Sequence, residues 1–134
     1  MATRIVMAAA WLEIIVGGSF ITALNMMCRL LFGVGPDGIG MPLGHLVGVA
    51  LFALGFASLP STSAVSSRSV VIGLFVYNFG AATLFAWTAV ATTLRGLMLW
   101  PGVLLHIVVA VALLPQIVAR KPIRKPHIEQ KQEL

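Results

Sequence analysis

Residues 5–24 read IVMAAAWLEIIVGGSFITAL, and the reading of that stretch decides the fold. It holds one charged residue in twenty. A helix needs ~20 apolar residues, or ~30 Å of rise, to cross a bilayer. Arg4 precedes the run, as a basic residue precedes a signal peptide. The run is too long for a signal core, carries Glu13, and has no small-x-small cleavage site ahead of a polar mature domain. It is therefore expected to stay as the first of several spans.

The composition extends that expectation to the whole chain. Of 134 residues, 59% are hydrophobic and 10% charged, with a mean hydropathy of +1.00. Soluble domains average about 25% charged residues, so this chain has too few to cover a water-facing surface. An all-α integral membrane four-helix bundle with short loops is expected. Its helices run over about 5–24, 42–59, 70–92 and 98–118, within one domain of residues 1–119. The cluster GVGPDGIG (33–40) punctuates the chain before the second helix, Pro42 suits a first helical turn, and STSAVSSRS (61–69) is the most polar internal segment. The tail of residues 120–134 is basic and broken by proline, and is expected to be disordered or to lie on a surface.

Lys and Arg set the orientation. Arg4, Arg68, Arg120, Lys121, Arg124, Lys125 and Lys131 fall on one side, Arg29 and Arg95 on the other, seven against two. Both termini are thus expected in the cytoplasm, with the tail free to touch anionic headgroups. The net charge of +5 is explained by this topology; no base-stacking or groove-reading module is visible, and no nucleic-acid partner is expected. The single cysteine, Cys28, closes no intramolecular disulfide and reads as a small apolar packing residue.

Helices in lipid associate through small residues. Gly44, Gly48 and Gly55 make such a stripe in the second helix, Gly73, Tyr77, Gly80 and Ala81 in the third, Gly102, His106 and Ala110 in the fourth. Each is expected to be a close-approach face. MPLGHLVGVALF (41–52) and WPGVLLHIVVAVALL (100–114) share a proline followed by a histidine, three residues on in one and five in the other, a faint sign of a duplicated hairpin.

Ionisable groups in hydrocarbon cost about 2.5–3.5 kcal/mol each on insertion scales and by default mark a function or a partner. At 1.5 Å per residue, Glu13 and Asn78 lie roughly 12 Å in from the terminal side, Tyr77 beside them, and His106 roughly 18 Å in. Glu13, Asn78 and His106 are expected to meet inside the bundle. A buried carboxyl needs a proton, donors or a cation. Asn78 brings amide hydrogens, Tyr77 a hydroxyl, and His106 a mobile proton. Two readings follow: a proton-handling or ligand-orienting site, or a hydrogen-bond network that fixes helix register with Glu13 neutral.

His45 and His106 together raise a haem ligand pair between the second and fourth helices, although His106 counts several ångströms deeper. No motif for a metal site, a phosphate-binding loop or a nucleophilic triad is present, and nothing in the residues names a reaction.

WLEIIVGGSF (11–20), LFG (31–33), PLGHLVGVALFALG (42–55), GLFVYNFGAA (73–82) and GLMLWPGVLLHIVVAVAL (96–113) resemble small bacterial four-helix inner-membrane proteins of the DoxX-like kind. Tyr77-Asn78 and Trp100-Pro101 with His106 carry the resemblance best. It implies the four-helix fold and a bacterial inner membrane, and no activity. Glu13 in the first helix is also similar to the small multidrug resistance exporters, whose glutamate exchanges protons for cationic drugs, though their third-helix pattern is absent. His45 with Asn78-x-Gly80 is more loosely similar to styrene oxide isomerase, a haem enzyme. The function expected from the residues themselves is binding of a small apolar molecule, or of a partner membrane protein in a homo-oligomer or larger complex.

Overall fold

The computed structural model describes residues 2–59 and 68–118. Five helices follow in order: α1 (Ala2–Thr22), α2 (Leu24–Phe32), α3 (Gly40–Ser58), α4 (Arg68–Ala91) and α5 (Leu99–Val118). Four of them, all but α2, are long and apolar enough to cross a membrane. Their bounds agree with the sequence reading to within a few residues. The basic tail and the segment 60–67 lie outside the described residues.

The short α2 is the departure from expectation, since its residues look like the end of the first span. Ser19 and Thr22 turn their hydroxyls onto the carbonyls of Ile15 and Gly18, both at 2.8 Å, a back-bonding that loosens and bends helices. At Ala23 the backbone leaves helical geometry, with φ −135° and ψ 39°. The chain then resumes as a nine-residue amphipathic helix that buries Leu24, Cys28 and Leu31 and exposes Asn25, Met26 and Arg29. Gly33 ends it in the left-handed region, φ 80°, with its N–H on the Arg29 carbonyl at 2.9 Å.

The bundle is built from two tight pairs, α1 with α3 and α4 with α5, which meet each other more loosely. Between α1 and α3 the backbones nearly touch. A Cβ on Gly17 would sit 2.5 Å from the Phe52 nitrogen and 2.7 Å from the Gly48 carbonyl oxygen; one on Gly55 would sit 2.7 Å from the Ala10 oxygen. The expected stripe on α3 is therefore an interface. The stripe on α4 is not: a Cβ on Gly73 or Gly80 would meet nothing within 4 Å. Those glycines open the outer face of α4 instead of joining it to another helix of the chain. On α5 the stripe is again turned inward, with His106 and Ala110 buried and Gly102 against the Phe85 ring.

At the end away from the termini, the α4–α5 link is clasped to α2. Arg95 N–H donates to the Phe32 carbonyl at 3.0 Å and Met98 N–H to the Leu30 carbonyl at 2.7 Å, with Gly96 lying directly on the backbone of Leu30 and Leu31. The two links also share hydrogen bonds at matching positions. Gly40 N–H donates to Asp37 and Leu99 N–H to Gly96; Leu43 N–H donates to Ile39 and Gly102 N–H to Met98. These pairs superpose Pro42 on Pro101, so the shared feature of the two hairpins is the proline-headed turn, while His45 and His106 do not correspond.

Two apolar clusters fill the interior. Val6, Ala9, Val71, Leu74 and Leu113 form one toward the termini; Phe20, Leu24, Cys28 and Leu31, with Phe85 against them, form the other toward the links. On α1 the first ends at Ala9 and the second starts at Phe20, and on α4 they are separated by the turns between Leu74 and Phe85. Glu13, Tyr77 and Asn78 occupy that gap.

Candidate functional site

The gap is a polar layer. Glu13 on α1 is 1% exposed, Asn78 on α4 0% and His106 on α5 8%. Three helices thus bring their one deeply buried polar side chain into a common layer, although the depth counts put His106 about 6 Å deeper than the other two. Tyr77, partly buried, lies with Asn78 within hydrogen-bonding reach of the Glu13 carboxyl.

The chemistry of Asn78 orders the layer. Its Nδ2 donates to the Leu74 carbonyl at 2.8 Å. A main-chain carbonyl only accepts, so the amide orientation is fixed by that bond. Its Oδ1 then faces Nδ1 of His106 at 2.8 Å. An amide oxygen also only accepts, so Nδ1 carries a proton, and the neutral ring has its lone pair on Nε2. The His106 ring is held edge-on by Tyr77, centroids 5.7 Å apart, and tilted against Phe85 at 5.6 Å. Asn78 is the hinge of the network: it donates to a backbone, accepts from a histidine and reaches a carboxyl, yet cannot itself gain or lose a proton.

Glu13 is not satisfied by these neighbours. Among the described residues, its Oε1 is fully buried with no hydrogen-bond partner. Arg4, Arg29, Arg68 and Arg95, the cations among the described residues, are all exposed near helix ends. A buried polar atom left unpaired costs about 1–3 kcal/mol, more when charged, and such orphans are rare in packed interiors.

The other histidine is elsewhere. His45 is exposed in the first turns of α3, and α3 and α5 do not form one of the bundle's packed pairs. The structure does not bring His45 and His106 together, so a haem held by both rings within one chain does not fit. No group of three His, Cys, Asp or Glu side chains suited to a metal ion occurs among the described residues.

A groove of about 670 Å³ runs along the outer seam of α4 and α5, lined by Phe75, Phe79, Ala82, Thr83, Trp87 and Ala110 among others. None of the four polar-layer residues lines it, and the Thr83 hydroxyl is spent on the Phe79 carbonyl. It is an apolar surface feature, separate from the chemistry.

The sequence reading missed the role of Phe85, whose ring lies tilted against His106 and edges onto Phe32 at 6.2 Å. One signal was available: Phe85 follows Asn78 by seven residues, two turns along the same face of α4. No family model, curated protein or solved structure matches this chain.

Proposed function

We propose that this is a multi-pass membrane protein that binds a small, largely apolar molecule in the polar layer, with Glu13 as the group that changes charge state and His106 as its proton partner. The observation that carries this reading is the orphaned Oε1 of Glu13. A network built only to fix helix register has no reason to retain an unpaired carboxyl oxygen, because replacing such a group by an apolar side chain is often neutral or stabilising. A bound molecule supplies the missing partner.

The bilayer is the bacterial inner membrane, with both termini cytoplasmic. This follows from the seven-to-two division of Lys and Arg and the DoxX-like resemblance. A second reading, in which the partner is another membrane protein or another copy, is favoured by the open face of α4 at Gly73 and Gly80, since small residues let helices approach in lipid.

The test is mass spectrometry of solvent extracts from the wild-type protein and Glu13→Gln, each purified in lipid nanodiscs. The expected result is a compound retained near stoichiometry by the wild type and lost from the variant. Identical extracts holding bulk lipid alone would overturn the ligand reading, and a copurifying protein would replace it with the second.

A further inference from the structure

The polar layer has unmet capacity of one sign. Nδ1 of His106 is committed as a donor to Asn78, and among the described residues no hydrogen bond reaches Nε2, the ring's acceptor. Asn78 Nδ2 donates to the Leu74 carbonyl, and the Asn78 amide and the Tyr77 hydroxyl lie near the Glu13 carboxyl. With Glu13 in its carboxylate form, what remains is the buried Oε1 and the Nε2 lone pair, two acceptors that no donor of the layer reaches among the described residues.

Resting on the reading that this layer is a ligand site, we infer that its ligand presents a hydrogen-bond donor, an O–H or N–H on an apolar body, and that Glu13 Oε1 receives it. Apolar clusters flank the layer on both sides. Charge alone does not satisfy the site: a quaternary ammonium has no hydrogen to give, and a ketone or ether adds a further acceptor. A site built around a donor rejects analogues lacking it, because its own buried atoms then stay unpaired. Access from lipid is on the α4 side, where Gly73 and Gly80 lie one turn either side of the partly exposed Tyr77 and leave open space.

Four eight-carbon probes test this on the full chain in nanodiscs at equal mole fraction in the membrane: 1-octanol, octylamine, 2-octanone and octyltrimethylammonium. The readout is perturbation of the protein's carboxyl infrared band, identified by its loss in Glu13→Gln. Octanol and octylamine are expected to perturb it with at least about tenfold tighter apparent affinity than the ketone or the quaternary ammonium. The comparison among probes is made on the wild type, so it survives even if Glu13→Gln folds poorly; Glu13→Asp, which keeps the acid, then identifies the band by its shift. Equal or tighter binding of 2-octanone would overturn the donor rule while leaving the site in place, and a preference for the quaternary ammonium would overturn it in favour of charge recognition. No perturbation by any probe would overturn both the rule and the ligand-site reading.

Discussion

His106 and Asn78 are joined by one 2.8 Å hydrogen bond across the α4–α5 seam, and the Leu74 carbonyl behind Asn78 dictates its direction. Nδ1 of the histidine must donate. One backbone acceptor therefore determines the tautomer of a ring on another helix, and with it which nitrogen is left to act on a ligand.

We expect ¹⁵N NMR of histidine-labelled protein to show His106 neutral as the Nδ1–H tautomer. In Asn78→Ala the tautomer preference is expected to disappear. A double-mutant cycle of Asn78→Ala and His106→Ala should give a coupling of about 0.6 kcal/mol and at most about 1.7 kcal/mol, the average and maximum for hydrogen bonds between membrane helices. Additive effects in the cycle would mean that the bond contributes nothing to stability.

The glycines of the α1–α3 seam and those of α4 look alike in the sequence and are expected to behave oppositely. Gly17→Ala and Gly55→Ala push a Cβ into the opposing backbone, and we expect each to lower stability by about 1–3 kcal/mol, the usual cost of overpacking. Gly73→Ala and Gly80→Ala meet open space and should be neutral or stabilise the helix by up to about 1 kcal/mol. Thermal unfolding in detergent distinguishes the two sets. A large loss at Gly80 in the assembled protein, absent in the isolated chain, would instead reveal a partner helix on that face.

The clasp between α2 and the α4–α5 link depends on two glycines. Gly33 has φ 80° and a would-be Cβ 2.6 Å from the Arg95 carbonyl oxygen. Gly33→Val combines an unfavourable backbone region with a clash, and is expected to cost at least about 1–2 kcal/mol. Hydrogen exchange should show faster exchange at the amides of Arg95 and Met98, the two that bond α2. Unchanged exchange there would mean the clasp does not depend on Gly33.

Orientation is open to a direct chemical check. In a Cys28→Ala background, Asp37→Cys in the α2–α3 link should react with a membrane-impermeant maleimide added outside intact cells, and Arg68→Cys at the start of α4 should not. The reverse pattern would invert the topology.

Much of this was legible in the sequence because the physics was strong. A twenty-residue, largely apolar stretch around Glu13 leaves few alternatives to a span, and depth counting at 1.5 Å per residue brought Glu13 and Asn78 to one depth with His106 about one turn from it. What stayed hidden depended on rotation or a local break. LNMMCRLLF is apolar enough to continue α1, and only its buried Leu24, Cys28 and Leu31 reveal a separate amphipathic helix. Gly73 and Gly80 have the spacing of a packing face, and which way a face points is set by the rest of the bundle. His45 shares a proline-histidine pattern with His106, yet the prolines superpose and the histidines do not.

The ligand reading turns on whether the carboxyl of Glu13 is the atom group that meets a bound molecule. Difference infrared spectroscopy in nanodiscs tests it most directly. On addition of 1-octanol, the Glu13 carboxylate band should shift as Oε1 gains a donor, with no such shift in Glu13→Gln. A Glu13 band that stays in place at saturating octanol and octylamine would contradict the reading and leave the polar layer as a structural network.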